Sequence, residues 1–188
     1  AITSPTPACG KSTVSLNLAL SIARQPNTRA IEMEIDMRNP SQNRLLGLNG
    51  KGDRKGSVGD VLSGRARFGD LAFRAGDDLA LVTNAAPVRN ASDILLGDQV
   101  GDILAEIEAS YQPNTMIFDM PPVLVNDDTM AFMQHVDCVL IIAAAGRSTI
   151  AEIDRCEREL ASQTNVLGVV INKCEFGETT YGYGGYGY

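Results

Sequence analysis

Ser4-Pro5-Thr6-Pro7-Ala8-Cys9-Gly10-Lys11-Ser12-Thr13 is the stretch whose reading decides the fold. It opens a run of small and apolar residues, Lys11–Arg24, with Val14, Leu16, Leu18, Leu20 and Ile22 among alanines and serines. Gly-Lys-Ser-Thr at the start of a helix is the signature of a phosphate loop. The backbone N–H groups of such a loop and the positive end of the helix dipole wrap phosphate oxygens. Pro7, Ala8, Cys9, Gly10, Lys11, Ser12 and Thr13 are therefore the expected nucleotide-binding residues. Lys11 would bridge the β- and γ-phosphate oxygens of ATP, and the Ser12 hydroxyl would ligate Mg2+. The first glycine of the ordinary pattern is replaced by Pro5, so the loop needs support from elsewhere in the chain.

That support lies downstream. Strand-like apolar runs occur at Arg29–Ile35, Leu79–Val82, Thr115–Phe118, Val136–Ala143 and Val166–Ile171. Helix-like stretches fall between them at Ile94–Ala109, Asp127–Met133 and Thr149–Ala161, with a short helix at Val58–Leu62. Unbroken apolar strands alternating with helices predict an α/β domain, a doubly wound and mainly parallel sheet flanked by helices. Only Ala1-Ile2-Thr3 precede the phosphate loop, less than the strand of about five residues that such a loop follows. Residues 1–174 are read as a domain that is incomplete at its N-terminal side. Residues 175–188 are read as a separate, flexible Gly/Tyr-rich tail.

Two further motifs end strands with acidic residues. In Ile31-Glu32-Met33-Glu34-Ile35-Asp36-Met37-Arg38-Asn39-Pro40, Glu34 and Asp36 alternate and so share a side. Glu32 shares it too, solvated or paired with an arginine. In Thr115-Met116-Ile117-Phe118-Asp119-Met120-Pro121-Pro122, one strand delivers Asp119 and two prolines force an extended exit. Carboxylates at the C-terminal edge of a parallel sheet face the ligand crevice. There they can hold Mg2+ or its waters, or accept a proton from an attacking hydroxyl. Ser12, Glu34, Asp36 and Asp119 are the candidate metal ligands. Asn172 ends the last strand, either hydrogen-bonding an adenine or simply forming a turn.

Composition sets the outer bounds. The 188 residues suit one globular domain, and 44% hydrophobic with 21% charged residues exclude disorder for the body. With 16 Lys+Arg against 23 Asp+Glu, the formal charge of −7 argues against general affinity for nucleic acid, and no such partner is expected. The widely spaced Cys9, Cys138, Cys156 and Cys174 form no zinc or redox motif and are read as reduced thiols. His135 has no ligating neighbour and is read as a surface or helix-end histidine. Four of the five tyrosines, Tyr181, Tyr183, Tyr186 and Tyr188, fall in the last eight residues.

In this order the motifs resemble the bacterial tyrosine kinases of capsule and exopolysaccharide synthesis, a branch of the P-loop class that contains the partition and septum-positioning ATPases. The parts are Walker A over Thr3–Thr13, Walker A′ over Glu34–Pro40, Walker B over Phe118–Val123, Gly168–Lys173 and the tyrosine tail. The resemblance implies autophosphorylation by ATP and Mg2+ on Tyr181, Tyr183, Tyr186 and Tyr188, between neighbouring protomers of a ring. It also implies a place at the cytoplasmic face of the inner membrane and an activating transmembrane polysaccharide co-polymerase, fused or separate. Lys11, Asp36 and Asp119 would be the catalytic residues, with Asp36 either a second metal contact or the base for the tyrosine proton. Arg38 and Arg147 stand near these motifs without an assigned role. Two departures stand out: Ala8 where the family has glycine, and Glu34 where it has aspartate. If position 8 needs φ > 0, alanine there costs about 1 kcal/mol or more. The alternative reading is an ATPase switch of the partition or septum-positioning type without tyrosine kinase activity.

Overall fold

The computed structural model describes residues 1–48 and 56–175. Residues 49–55 and residues 176–188, the latter with the four tail tyrosines, lie outside the described residues.

Among the described residues, seven strands form one sheet: β1 (Ile2–Thr3), β2 (Ala30–Glu34), β3 (Phe73–Arg74), β4 (Leu79–Val82), β5 (Thr115–Asp119), β6 (Cys138–Ala144) and β7 (Asn165–Asn172). Their order is β3-β4-β2-β5-β1-β6-β7. Every pairing is parallel except β3 with β4. The two-residue antiparallel β3 carries no periodicity that a sequence reading can detect. Eight α-helices are described: α1 (Lys11–Ala23), α2 (Gln42–Leu45), α3 (Val58–Leu62), α4 (Phe68–Leu71), α5 (Ala91–Leu95), α6 (Gln99–Tyr111), α7 (Asp128–Phe132) and α8 (Ile150–Ala161). The doubly wound α/β architecture expected from the sequence is therefore present.

The core divides into two layers by the direction in which the chain winds. The β1-to-β2 connection runs one way along the sheet, and those from β4 to β5, β5 to β6 and β6 to β7 run the other. Right-handed crossovers then place α1 on one face and α5, α6, α7 and α8 on the other. Leu16 and Ala19 of α1 bury against Ile2, Ala30, Leu81, Ile117 and Ile142. The larger layer gathers Ile94, Leu104, Ile107, Phe132, Cys156 and Leu160 against Met33, Phe118 and Ile141. Edge strand β7 leaves Leu167, Val169, Val170 and Ile171 exposed, on both faces of the sheet because successive residues alternate.

The expected single helix Ile94–Ala109 is two helices, α5 and α6, parted at Leu96–Asp98. The break at Gly97 lets Ile94 and Leu95 on one side, and Val100, Leu104 and Ile107 on the other, all reach the core. Cys138 is half-buried and Cys174 exposed, whereas Cys9 and Cys156 are the buried thiols. Cys138 is the first residue of β6 and Cys174 lies just past β7, so both sulfurs sit at strand ends rather than inside the sheet. His135 ends a 3-10 turn at Met133–His135, with its ring edge-on to Phe132.

Candidate active site

β2, β5 and β1 lie side by side, so the Walker A′, Walker B and Walker A segments leave the sheet at one edge. Register joins them: Asp119 pairs with both Ile2 and Glu34. The Asp119 carbonyl accepts the N–H groups of Ile35 and Asp36, each at 2.9 Å. Beyond the strand, Val123 N–H donates to the Ser4 carbonyl and Leu124 N–H to the Pro5 carbonyl, at 2.9 and 3.1 Å. The extended exit imposed by Pro121-Pro122 thus braces the phosphate loop.

The loop itself is held without a ligand. Gly10 caps α1 at φ 93°, offering no side chain to the helix N-terminus, and the first turn contains no acidic residue. The first N–H groups of α1 are therefore left for an anion. A Cβ on Gly10 would lie 2.2 Å from Asn172 Nδ2. That amide donates to the Cys9 carbonyl at 2.9 Å, and Lys173 Nζ donates to the Ala8 carbonyl at 2.7 Å. Asn172 is thus a loop fastener in this structure, rather than a free group awaiting adenine. Ala8 has φ 63°, the left-handed geometry that its departure from glycine called into question. The Cys9 thiol points inward to Ser148 Oγ, at 3.5 Å, so this residue contributes its backbone to the loop.

Lys11 Nζ lies 2.6 Å from Asp36 Oδ2, and Asp36 Oδ1 accepts the Asn39 N–H at 3.2 Å. Burial alone would lower the Lys11 pKa, but the charges of Asp119 and Asp36 outweigh it and hold the ammonium above its ordinary value. Asp119 is fully buried. Burial pushes its carboxyl up from 3.8 to about 6, with Lys11 and the Ser12 and Gln42 side chains pulling the other way. Asp119 Oδ2 accepts from Gln42 Nε2 at 3.1 Å, whereas Oδ1 has no hydrogen-bond partner. A buried carboxylate oxygen without a partner is costly unless something fills the position it faces.

Glu34 differs from its assignment as a metal ligand. Its Oε1 accepts the N–H groups of Ser41 and Gln42, at 2.6 and 2.8 Å, and its Oε2 accepts the Asn84 N–H at 2.9 Å. The extra methylene relative to aspartate carries both oxygens past the crevice into the backbone of the next loops. Glu34 therefore anchors loops, and burial raises its pKa despite those donors. Glu32 does not pair with an arginine: Ser15 Oγ, at 3.0 Å, and Gln42 Nε2 both donate to its Oε1. Burial, followed by the neighbouring Asp119 charge, pushes the Glu32 carboxyl well above the ordinary range. Arg38 turns away from the cleft, with Nε and Nη2 donating to Asp128 at 2.5 and 3.3 Å. Arg147 is exposed.

No group of three or more His, Cys, Asp or Glu side chains among the described residues is arranged to hold a metal by itself. What is present suits a hard cation shared with phosphate: one hydroxyl, Ser12, and one partnerless carboxylate oxygen, on Asp119. The cleft encloses about 490 Å³ between Ala8, Lys11, Asp36, Arg44, Asn126 and Lys173. Sequence reading missed Gln42, Arg44, Asn84 and Lys173 as site residues. The only signal for Gln42 was Glu32 itself, a charge inside an apolar strand that requires a buried partner.

No family model matches the chain. The EpsB protein of Ralstonia nicotianae is 31% identical over 185 residues, 97% of this chain and 24% of that protein. The tyrosine-protein kinase CpsD of Streptococcus pneumoniae is 27% identical over 186 residues, 96% of this chain and 78% of that protein. The chain spans about a quarter of the length of the first curated relatives it matches. The kinase domain of the Escherichia coli tyrosine kinase ETK superposes with a TM-score of 0.82 at 25% identity, covering 97% of this chain and 70% of that one. The septum site-determining protein MinD of Pyrococcus horikoshii, solved with Mg-ADP, shares the fold at a TM-score of 0.74 and 16% identity, covering 94% of this chain and 70% of that one. By sequence and by fold, the chain is a homologue of the kinase domains of bacterial tyrosine kinases, built on a P-loop architecture that MinD also has.

Proposed function

We propose that the chain is an ATP-dependent protein-tyrosine kinase domain that phosphorylates Tyr181, Tyr183, Tyr186 and Tyr188, and so regulates polysaccharide synthesis and export. One juxtaposition carries the reading: an uncapped helix N-terminus with Lys11 at its first position, facing Asp36 and the partnerless Oδ1 of Asp119. A cation beside a helix N-terminus is unfavourable in isolation. Lys11 is tolerated there because Asp36 neutralises it, and a phosphate can take over that role.

The loop N–H groups and Lys11 then bind the phosphates. Lys11 leaves Asp36 as it turns to them, and the freed Oδ2 can accept the proton of an incoming tyrosine hydroxyl. Ser12 and Asp119 would hold Mg2+, which when bound would neutralise charge developing on the transferred phosphoryl group. Asp119, Glu34 and Glu32 are buried in the floor of the site. The names of CpsD and ETK support transfer to tyrosine, and the Gly-Tyr repeat supports a tail able to reach a neighbouring protomer. A ring of like chains at the cytoplasmic membrane face, with a transmembrane co-polymerase as activator, is the assembly this reading implies. No helix among the described residues is long and apolar enough to cross a membrane. The test is transfer of the γ-phosphate of labelled ATP, followed by phosphoamino-acid analysis. Label on tyrosine that disappears in a folded Lys11→Met variant is expected. Steady ATP hydrolysis without labelled tyrosine would favour the ATPase-switch alternative.

A further inference from the structure

Gln42 is completely buried on the four-residue α2, yet three carboxylates converge on it. Its side-chain Nε2 donates to Glu32 Oε1 and to Asp119 Oδ2, using both amide protons, and its backbone N–H donates to Glu34 Oε1. The amide has one workable orientation, because the reverse would set Oε1 against two carboxylates. Gln42 Oε1 is left without a partner, as are Glu32 Oε2 and Asp119 Oδ1. Glu32 is fixed from its other side by Ser15 of α1. A continuous chain thus runs Ser15–Glu32–Gln42–Asp119 beneath the phosphate loop. It ends by fixing one oxygen of the carboxylate whose other oxygen is free.

We infer that Gln42, braced by Glu32, is a positioning residue for Asp119: by holding Oδ2 it turns Oδ1 toward the Mg2+ position and sets the Mg2+ dependence of nucleotide binding. This rests on the reading of the cleft as a Mg·nucleotide site. Without Gln42 the Asp119 side chain loses the donor that fixes Oδ2. Hydrogen-bonding partners behind a metal-ligating side chain typically change metal affinity by 10–100-fold when removed. The phosphate-loop N–H groups and Lys11 do not touch Gln42, so binding of nucleotide without the metal should not follow.

The probe is a fluorescent ADP analogue, titrated against the folded chain in EDTA and at a series of Mg2+ concentrations. Gln42→Met, similar in length but without donors, should raise the Mg2+ needed for half-maximal tightening by about 10-fold. Its affinity in EDTA should stay within about two-fold of wild type. Glu32→Leu with Gln42→Leu removes the Glu32–Gln42 pair together, so neither is left facing the other's orphaned group, although Ser15 Oγ and Asp119 Oδ2 each lose a partner and folding is checked first. It should show the same Mg2+ shift, and it carries the test if Gln42→Met fails to fold. Equal losses with and without Mg2+, or a double variant with wild-type Mg2+ dependence, would overturn the inference by making Gln42 only a partner for Glu32. A wild-type chain whose ADP affinity ignores Mg2+ would overturn the nucleotide-site reading itself.

Discussion

Ala8→Gly should stabilise the chain, because Ala8 sits in a backbone region that alanine avoids. Its φ of 63° is left-handed and its side chain is exposed, so removing the methyl group loses no packing. Left-handed geometry costs an L-residue about 1–2 kcal/mol. Glycine recovers that strain but gives the unfolded chain about 0.5–1 kcal/mol of extra freedom. The net expectation is about 1 kcal/mol in favour of the variant, or about 2–4 °C in Tm for a chain of this size. The loop should keep its shape, because Lys173 already pins the Ala8 carbonyl and Asn172 the Cys9 carbonyl. Nucleotide affinity should therefore change by less than about three-fold while Tm rises. Thermal unfolding of both chains at equal concentration, without nucleotide, is the assay. A Tm that falls or does not move would refute the strain argument. A large gain in affinity would show that Ala8 had been distorting the loop.

The remaining expectations concern the charged groups and the thiols around this site. Asp119 binds its proton more tightly folded (about 6) than unfolded (3.8), so its contribution to stability is full below pH 3.8 and lost as pH rises through 6. That loss is about 3 kcal/mol by pH 8. Asp119→Asn should accordingly stabilise the nucleotide-free chain at pH 8 and not at pH 4, by denaturant unfolding; equal effects at both would contradict the assignment. Asp128 shows the opposite sign: burial raises its pKa, but Arg38 and Ser92 lower it more, so the pair stabilises above the unfolded value and weakens as pH falls. Arg38→Ala should cost about 1–2 kcal/mol at pH 7, less at pH 3, since Asp128 would keep only Ser92. Alkylation followed by mass spectrometry should find Cys174 fastest and Cys156 protected, its thiol pushed up to about 12 by burial and then by Glu159. Rapid labelling of Cys156 in the folded chain would contradict its place on the buried face of α8.

The sequence was most legible where one short segment carries both structure and chemistry. Gly10-Lys11-Ser12-Thr13, Asp36 just past β2, Asp119 at the end of β5, and the short α3 at Val58–Leu62 are all placed as their residues imply. Legibility ended where a side chain's role depends on a partner distant in sequence. Glu34 has aspartate's charge, but its extra length meets the backbones of Ser41, Gln42 and Asn84. Asn172 could be read as an adenine contact or a turn, and neither reading contains Cys9, which is 163 residues away. Gln42 lies on a helix of one turn, too short to show periodicity, and only the fold brings it to Glu32 and Asp119. The α5–α6 break failed for the opposite reason. The apolar spacing there suits one long helix, whereas the structure turns at Gly97 so that Ile94 and Leu95 reach the core as well as Val100, Leu104 and Ile107.

Phosphate transfer to the tail is the central claim, and intact-mass spectrometry after incubation with ATP and Mg2+ tests it most directly. Three chains are compared: wild type, Lys11→Met with its folding checked by thermal unfolding, and a variant with phenylalanine at positions 181, 183, 186 and 188. Mass steps of one phosphate in the wild type, absent from both variants, are the predicted result. Unchanged phosphorylation of the phenylalanine variant would contradict the tail as acceptor, and undiminished transfer by Lys11→Met would contradict the phosphate loop as active site.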